Sequence, residues 1–359
     1  MKKTIRLAMS LALIFSLAAC SSGESSAQTT KREKNLFPDN SGLYPIIQDS
    51  LFGYINTKGE VVIKPQFEKA AQFSEGLAYF EKDGKYGFIN TKGEVVIEPV
   101  YTKKSRGWLK LAIEPLGETY FKEGLAAVNK NGLFGYIDKK GQEVIPAQFS
   151  EANAFSQGFA YVRNGQQIYF INQKGEKQFG RDFEWTSGFN DSLALVMTDQ
   201  KVGYINTSGK WVIPNKYYTG GIFMDGYAAV KDTREGKTWK LIDKKGKVLF
   251  EKEADRMHKG FGNYVYFNEG RNEGLLDLKG QVVIPAKYDV LFFLDEVIIV
   301  KTDSKEDRFG LINKKGEWVT EAKYHALFPA GDNMILMGTE NRELGYIDFS
   351  GKVIWKPTK

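Results

Sequence analysis

A chain of 359 residues with 42% hydrophobic and 26% charged residues has globular composition, which excludes disorder along most of its length. One Cys excludes an intramolecular disulfide framework and a cysteine zinc cage, and two His leave little room for a histidine metal site. The formal charge of +6 is small for this length, while 14% aromatics and 37 Gly lean towards strands and tight turns.

Residues 1–20 begin with Lys2, Lys3 and Arg6 and continue as an apolar stretch from Leu7 to Ala19. That stretch is shorter than the roughly 20 apolar residues a spanning helix needs, so it reads as an export signal. It ends in Leu17-Ala18-Ala19-Cys20, which resembles the lipobox of bacterial lipoproteins. The resemblance implies cleavage before Cys20, a diacylglycerol on its sulfur, and a chain lipid-anchored in the cell envelope on the exported side of a membrane. Residues 1–19 are then the signal peptide, and their removal takes three positive charges and leaves +3. Compartment and charge balance both disfavour a nucleic-acid partner. Residues 20–41, rich in Ser, Thr and mixed charge, read as a flexible tether with an r.m.s. reach of about 25 Å.

Residues 42–359 repeat. A short phrase begins at Gly53, Gly87, Gly135, Tyr169, Gly203, Lys240, Gly274, Gly310 and Gly345, at spacings of 34, 48, 34, 34, 37, 34, 36 and 35 residues. Its fourth position is always Asn or Asp, as in Asn56 and Asp138. Its seventh is always Gly: Gly59, Gly93, Gly141, Gly175, Gly209, Gly246, Gly280, Gly316 and Gly351. Asn or Asp starts a type I turn by binding backbone N–H two residues on, and Gly enters the left-handed region that closes a G1 bulge. With apolar runs on either side, such as Phe52–Ile55 and Val61–Ile63, the phrase predicts a β-hairpin. A third strand such as Leu77–Phe80 precedes each hairpin, so each of nine units reads as a three-stranded antiparallel meander.

Each hairpin is followed by a linker. Pro65, Pro99, Pro146, Pro214 and Pro285 stop the second hairpin strand. An aromatic lies fourteen residues after the phrase start at Phe67, Tyr101, Phe149, Phe183, Tyr217, Tyr288 and Tyr324, and a second follows at Phe73, Phe155, Phe189 and Phe223. Their recurrence predicts plugs between neighbouring sheets, with ligand stacking as the alternative. From the phrases Gly53–Phe67 and Phe73–Phe80 onward the chain resembles the bacterial WG-repeat family, although the Trp-Gly dipeptide itself is absent. The resemblance implies a β-repeat architecture and lends no chemistry.

The strands are apolar at consecutive positions: Tyr54 and Ile55, Leu77 to Phe80, Val61 to Ile63. Strands buried on both faces predict meanders stacked face to face. The apolar units at both ends, Leu43–Ile47 and Val353–Trp355, predict a propeller-like ring in which the ends cover each other. An open β-superhelix or solenoid is the alternative. The fold class is therefore all-β, a tandem array of about nine units.

No phosphate loop, dinucleotide fingerprint, EF-hand loop or metalloprotease helix occurs, so no cofactor and no metal are expected. His258 and His325 lie beside no motif, and the repeated acids fill turn positions, so no catalytic residue is assigned. Two features suggest binding. One is a rim of hairpin-turn lysines: Lys58, Lys92, Lys139, Lys140, Lys174, Lys244, Lys245, Lys279, Lys314 and Lys315. The other is an insertion after Tyr101, in which Trp108 stands among Lys103, Lys104, Arg106 and Lys110. The resulting expectation is a non-enzymatic binding or scaffold protein, held to a membrane by the lipid on Cys20, with a protein or envelope polymer as partner. A glycan-binding or glycan-hydrolysing surface protein is the alternative.

Overall fold

A computed structural model describes residues 41–102, 119–260, 262–294, 296–302, 308–339 and 343–356. The described residues form strands and turns with no helix. The signal, Cys20 and nearly all of the tether lie outside them, as does the insertion with Lys104, Arg106 and Trp108.

The hairpin turn forms as its chemistry dictates. In the first unit the Gly59 N–H donates to Asn56 O at 3.0 Å, and Asn56 Oδ1 accepts from the backbone of Lys58 and Glu60, both at 3.0 Å. Pairing shifts by one residue at the turn, Tyr54 opposite Ile63 but Ile55 opposite Val61, which is the bulge. All nine turn glycines have φ between 72° and 83°.

The predicted three-stranded meander is one strand short in most blades, while among the described residues blades one, three and four have three strands. In blade two the linker Lys69–Ser74 pairs with Leu77–Lys82, followed by Lys85–Asn90 and Val95–Thr102, giving four antiparallel strands. Trp185–Asn190 in blade five, Arg256–Lys259 in blade seven and Ala326–Gly331 in blade nine do the same. Blades four and six start with only two residues each, Glu151–Ala152 and Thr219–Gly220. Blades seven and eight share the long strand Val282–Leu294, which ends one blade and begins the next across a register shift between Tyr288 and Val290. Among the described residues blade one has three strands, Leu43–Gln48, Leu51–Asn56 and Val61–Phe67. Most aromatics fourteen residues on lie in the fourth strand, where Phe67 pairs with Phe52 and Tyr217 with Val202. They also fill the gap to the next blade, Phe67 on Phe80 at 5.4 Å between ring centres and Tyr217 in one buried cluster with Phe223 and Val230.

The middle strands are buried on both faces as expected. Tyr54 with Ile55, Phe88 with Ile89, and Tyr204 with Ile205 are all fully enclosed. The fourth strand departs from expectation. Ile63 is buried, but Val61 and Val62 are 43% and 49% exposed, because this strand is the outer edge of its blade.

The blades pack in sequence through one repeated contact. The hairpin aromatic of one blade meets the second linker aromatic of the next: Tyr54 with Phe73, Phe88 with Phe121, Tyr136 with Phe155, and Tyr204 with Phe223, at 4.7–4.9 Å between ring centres. Where that residue is Tyr, its hydroxyl donates to a carbonyl in or just after the neighbour's first strand: Tyr54 to Ala71, Tyr136 to Asn153, Tyr204 to Gly221, at 2.7–2.8 Å. Turn glycines also lie against the preceding outer strand, Gly93 on Ile63 and Gly141 on Ile97.

The same contacts join the last blade to the first. Tyr346 donates to Pro45 O at 2.7 Å, Tyr44 donates to Asp332 at 2.9 Å, and Gly59 lies against Ile354. Tyr44, Ile46, Ile55, Ala330, Met334 and Tyr346 form one buried cluster. Gln72, in the first strand of blade two, reaches Ala330 O in that of blade nine at 3.1 Å, past blade one. The first strands therefore line the middle, and the array closes into a propeller-like ring.

Candidate binding faces

The order of strands in a blade fixes two faces. Turns between the first and second strands and between the third and fourth strands lie on one face, called here the hairpin face. Turns between the second and third strands lie on the other.

On the hairpin face the lysine rim is present. Lys58, Lys92, Lys139, Lys140, Lys174, Lys245, Lys279, Lys314 and Lys315 are exposed, and Lys244 is half-buried. Two of them are tied down: Lys139 to Glu75 at 3.2 Å and Lys244 to Asp191 at 2.6 Å. Those two acids belong to an inner ring that sequence reasoning missed. Glu75 accepts from the backbone of Glu123 and Gly124 at 2.6 and 3.0 Å, and Glu123 accepts from Gln157 and Gly158 at 2.5 and 2.9 Å. Asp191 accepts from Gly226, and Asp225 from Gly262. Each acid binds the corresponding turn of the next blade. The signal for them was an acid followed by Gly just before the second strand, as at Glu75-Gly76, Glu123-Gly124 and Asp225-Gly226.

On the opposite face the turns are of a different kind. Both central residues have positive φ: Asp49 and Ser50, Asp83 and Gly84, Asn131 and Gly132, Asp199 and Gln200. This is the geometry of a two-residue hairpin turn, which favours Asp, Asn and Gly. The insertion leaves the described chain on this side, since Thr102 pairs with Lys85 beside the Asp83 turn.

His258 stacks on Tyr266 with ring centres 4.7 Å apart and planes 3° apart. Burial, with Arg256 nearby, lowers its pKa to about 4, so its imidazole is neutral at pH 7. Next to it, Lys259 is buried, donates to the carbonyls of Gly260 and Gly262, and lies 3.9 Å from Asp225. Glu273 stands where the family has Trp. Burial raises its pKa, while the Leu291 N–H at 2.9 Å holds its carboxylate in place. These groups tie strands to one another. No cluster of three metal-ligating side chains occurs among the described residues. The nine turn glycines share the left-handed backbone conformation.

The chain matches the family described as WG containing repeat at residues 52–86, 86–103, 134–166, 203–233, 274–305 and 309–337. No curated protein matches it in sequence. In fold it is similar to a crystal structure of a eukaryotic initiation factor, with 10% identity and a TM-score of 0.59 over 87% of this chain and 94% of that one. It is more distantly similar to BamB from Moraxella catarrhalis, with 11% identity and a TM-score of 0.44 over 86% and 95% of the two chains. Apo AztD from Citrobacter koseri gives 14% identity and 0.43 over 87% and 92%. At these identities the likeness is one of fold.

Proposed function

We propose that this ring of WG repeats is a lipid-anchored binding or scaffold protein of the bacterial envelope that acts without catalysing a reaction. The observation that carries the reading is the closed ring itself. Nine similar blades present their turns on two broad faces, and surfaces built from repeats suit extended protein or polymer partners. The basic start, short apolar run and small residues before Cys20 support export and lipid attachment. The inner acids of the hairpin face already accept backbone N–H groups, which favours binding over hydrolysis.

Detergent phase partitioning tests the anchor. Wild-type protein is expected in the detergent phase and Cys20→Ser in the aqueous phase or uncleaved, and wild-type protein in the aqueous phase defeats the anchor. Crosslinking in native envelope, followed by partner identification, tests the scaffold role. Release of reducing ends from envelope glycan by the purified protein would overturn the non-enzymatic reading.

A further inference from the structure

We propose that the hairpin face is the membrane side of the ring and rests on anionic phospholipid; this builds on the lipid-anchored reading above. Three observations converge on that face. The first is where the chain enters the ring. Leu43 pairs directly with Asn56, the first residue of a hairpin turn, so residues preceding 43 reach the ring on the lysine side. A tether of about 20 residues, with a reach of about 25 Å, would then leave the ring from this face.

The second is the composition of the turn tips. The two central residues of the nine hairpin turns, from Thr57-Lys58 to Phe349-Ser350, include ten lysines and no acidic residue. The opposite face carries Asp49, Asp83 and Asp199 at its turn tips. The inner acids of this face are already engaged, Glu75, Glu123, Asp191 and Asp225 by backbone N–H groups of the next blade, and Glu75 and Asp191 also by Lys139 and Lys244. Further acids sit behind the tips. Glu60, Glu94, Glu176 and Glu317 follow the turn glycines and accept from Asn56, Asn90, Asn172 and Asn313 at 2.7–2.8 Å.

The third is that turn geometry does not require the lysines. In the hairpin turn only the glycine has positive φ, so its two central positions admit any residue. On the opposite face both central residues have positive φ at Asp49-Ser50, Asp83-Gly84, Asn131-Gly132 and Asp199-Gln200, and the first does at Gly165 and Gly270, so backbone conformation selects Asp, Asn and Gly there. The charge at the outer hairpin tips is thus a free choice made repeatedly with one sign. Solubility alone is served by either sign, and an anionic surface is served only by this one. A flat bilayer meets all the tips together, so weak single contacts add through the shared rigid ring.

The test uses the mature chain with Cys20→Ser, so that attachment depends on the ring. It is expected to float with phosphatidylglycerol vesicles and not with phosphatidylcholine vesicles, and to be released by salt. Reversing four tip lysines together (Lys58→Glu, Lys92→Glu, Lys279→Glu, Lys315→Glu) should lower vesicle partitioning at least tenfold. The matched reversal on the other face (Lys82→Glu, Lys85→Glu, Lys130→Glu, Lys201→Glu) should change it less than twofold. Because reversal can disturb folding, the same four tip lysines changed to Gln, with an unaltered thermal midpoint, should still weaken binding about threefold. No binding to anionic vesicles, or equal loss from both reversals, overturns the proposal. The anchor fails by a different sign, wild-type protein with intact Cys20 in the aqueous detergent phase.

Discussion

Blades five and six are neighbours built to the same plan, and they differ at the residue that opens the repeated phrase. Blade five has Gly203, and its outer strand Trp211–Tyr217 bulges inward over that glycine at Pro214. A Cβ at Gly203 would lie 2.6 Å from Ile213 O, from Pro214 C and from Asn215 N. Blade six has Lys240, no proline follows, and its outer strand runs straight: Lys240 pairs with Glu251 and Leu241 with Phe250. The lysine side chain reaches Asp232 at 2.6 Å and Glu251 at 3.6 Å. Gly53, Gly87, Gly135, Gly274, Gly310 and Gly345 also lie under the backbone of their own outer strands. The glycine of the repeat is therefore required by a bulge within its own blade. Close stacking of neighbouring sheets, which the sequence alone suggested, is not the reason.

The largest expected effect breaks that pairing of glycine with bulge. Gly203→Val should cost about 3 kcal/mol or more, since the obstructing atoms are backbone and cannot swing aside. Lys240→Gly in blade six should cost about 1 kcal/mol, from a solvent-exposed ion pair and added chain entropy. Equal losses in urea unfolding would mean the bulge does not dictate the glycine.

Both kinds of blade share the hairpin turn, so Gly141→Val and Gly246→Val should each cost about 1–3 kcal/mol. Lys140→Val should change stability by less than about 0.5 kcal/mol. If the glycine and lysine substitutions are equally mild in unfolding experiments, the turn has no such conformational demand.

The seam after blade six sharpens the comparison through pH. There Leu241 replaces the tyrosine that binds the next blade, and Ala229, Leu241, Met257, Val265 and Phe267 make an apolar seam beside His258. The His258 pKa is lowered in the folded chain, to about 4 from the usual 6.5, so the unfolded chain takes up the proton first. Its contribution is complete above pH 6.5 and is lost as pH falls towards 4, by about 3 kcal/mol at most. His258→Phe keeps the ring stack and should flatten this part of the stability profile; an unchanged profile would exclude His258 as its source.

The smallest effect belongs to the hydroxyl that blade five offers and blade six lacks. Tyr204→Phe should cost about 1 kcal/mol by removing the donor to Gly221 O. Thermal unfolding of that variant beside Leu241→Met, which should be nearly neutral, gives the measure.

The repeat, its turn and its doubly buried middle strands were legible because each depends on local chemistry: Asn56 and Gly59 specify a turn, and Tyr54 with Ile55 specifies burial on both sides. The first strand was not legible. Thr219–Gly220 and Arg256–Lys259 are short and carry no alternation, so pairing with the neighbouring strand alone makes them strands. Exposure of Val61 and Val62 was misread because periodicity cannot tell an edge strand from a central one. The acids Glu75, Glu123 and Asp191 escaped notice because their partners are backbone groups one blade away, which leave no mark on residue type.

The closing contact between Tyr346 and Pro45 spans 301 residues, yet it has the form of the contacts between adjacent blades. Among the described residues no strand crosses from the last blade into the sheet of the first, so closure is face to face. Every other blade can dock as soon as its predecessor exists, but this seam waits for the whole polymer. Doubling the length of a loop adds only about 0.6 kcal/mol to the cost of joining its ends, so the seam is slow to form rather than weak once formed. An emerging chain thus remains an arc with two bare apolar flanks until its final blade arrives. That interval is when exposed apolar surface makes the chain most prone to aggregate.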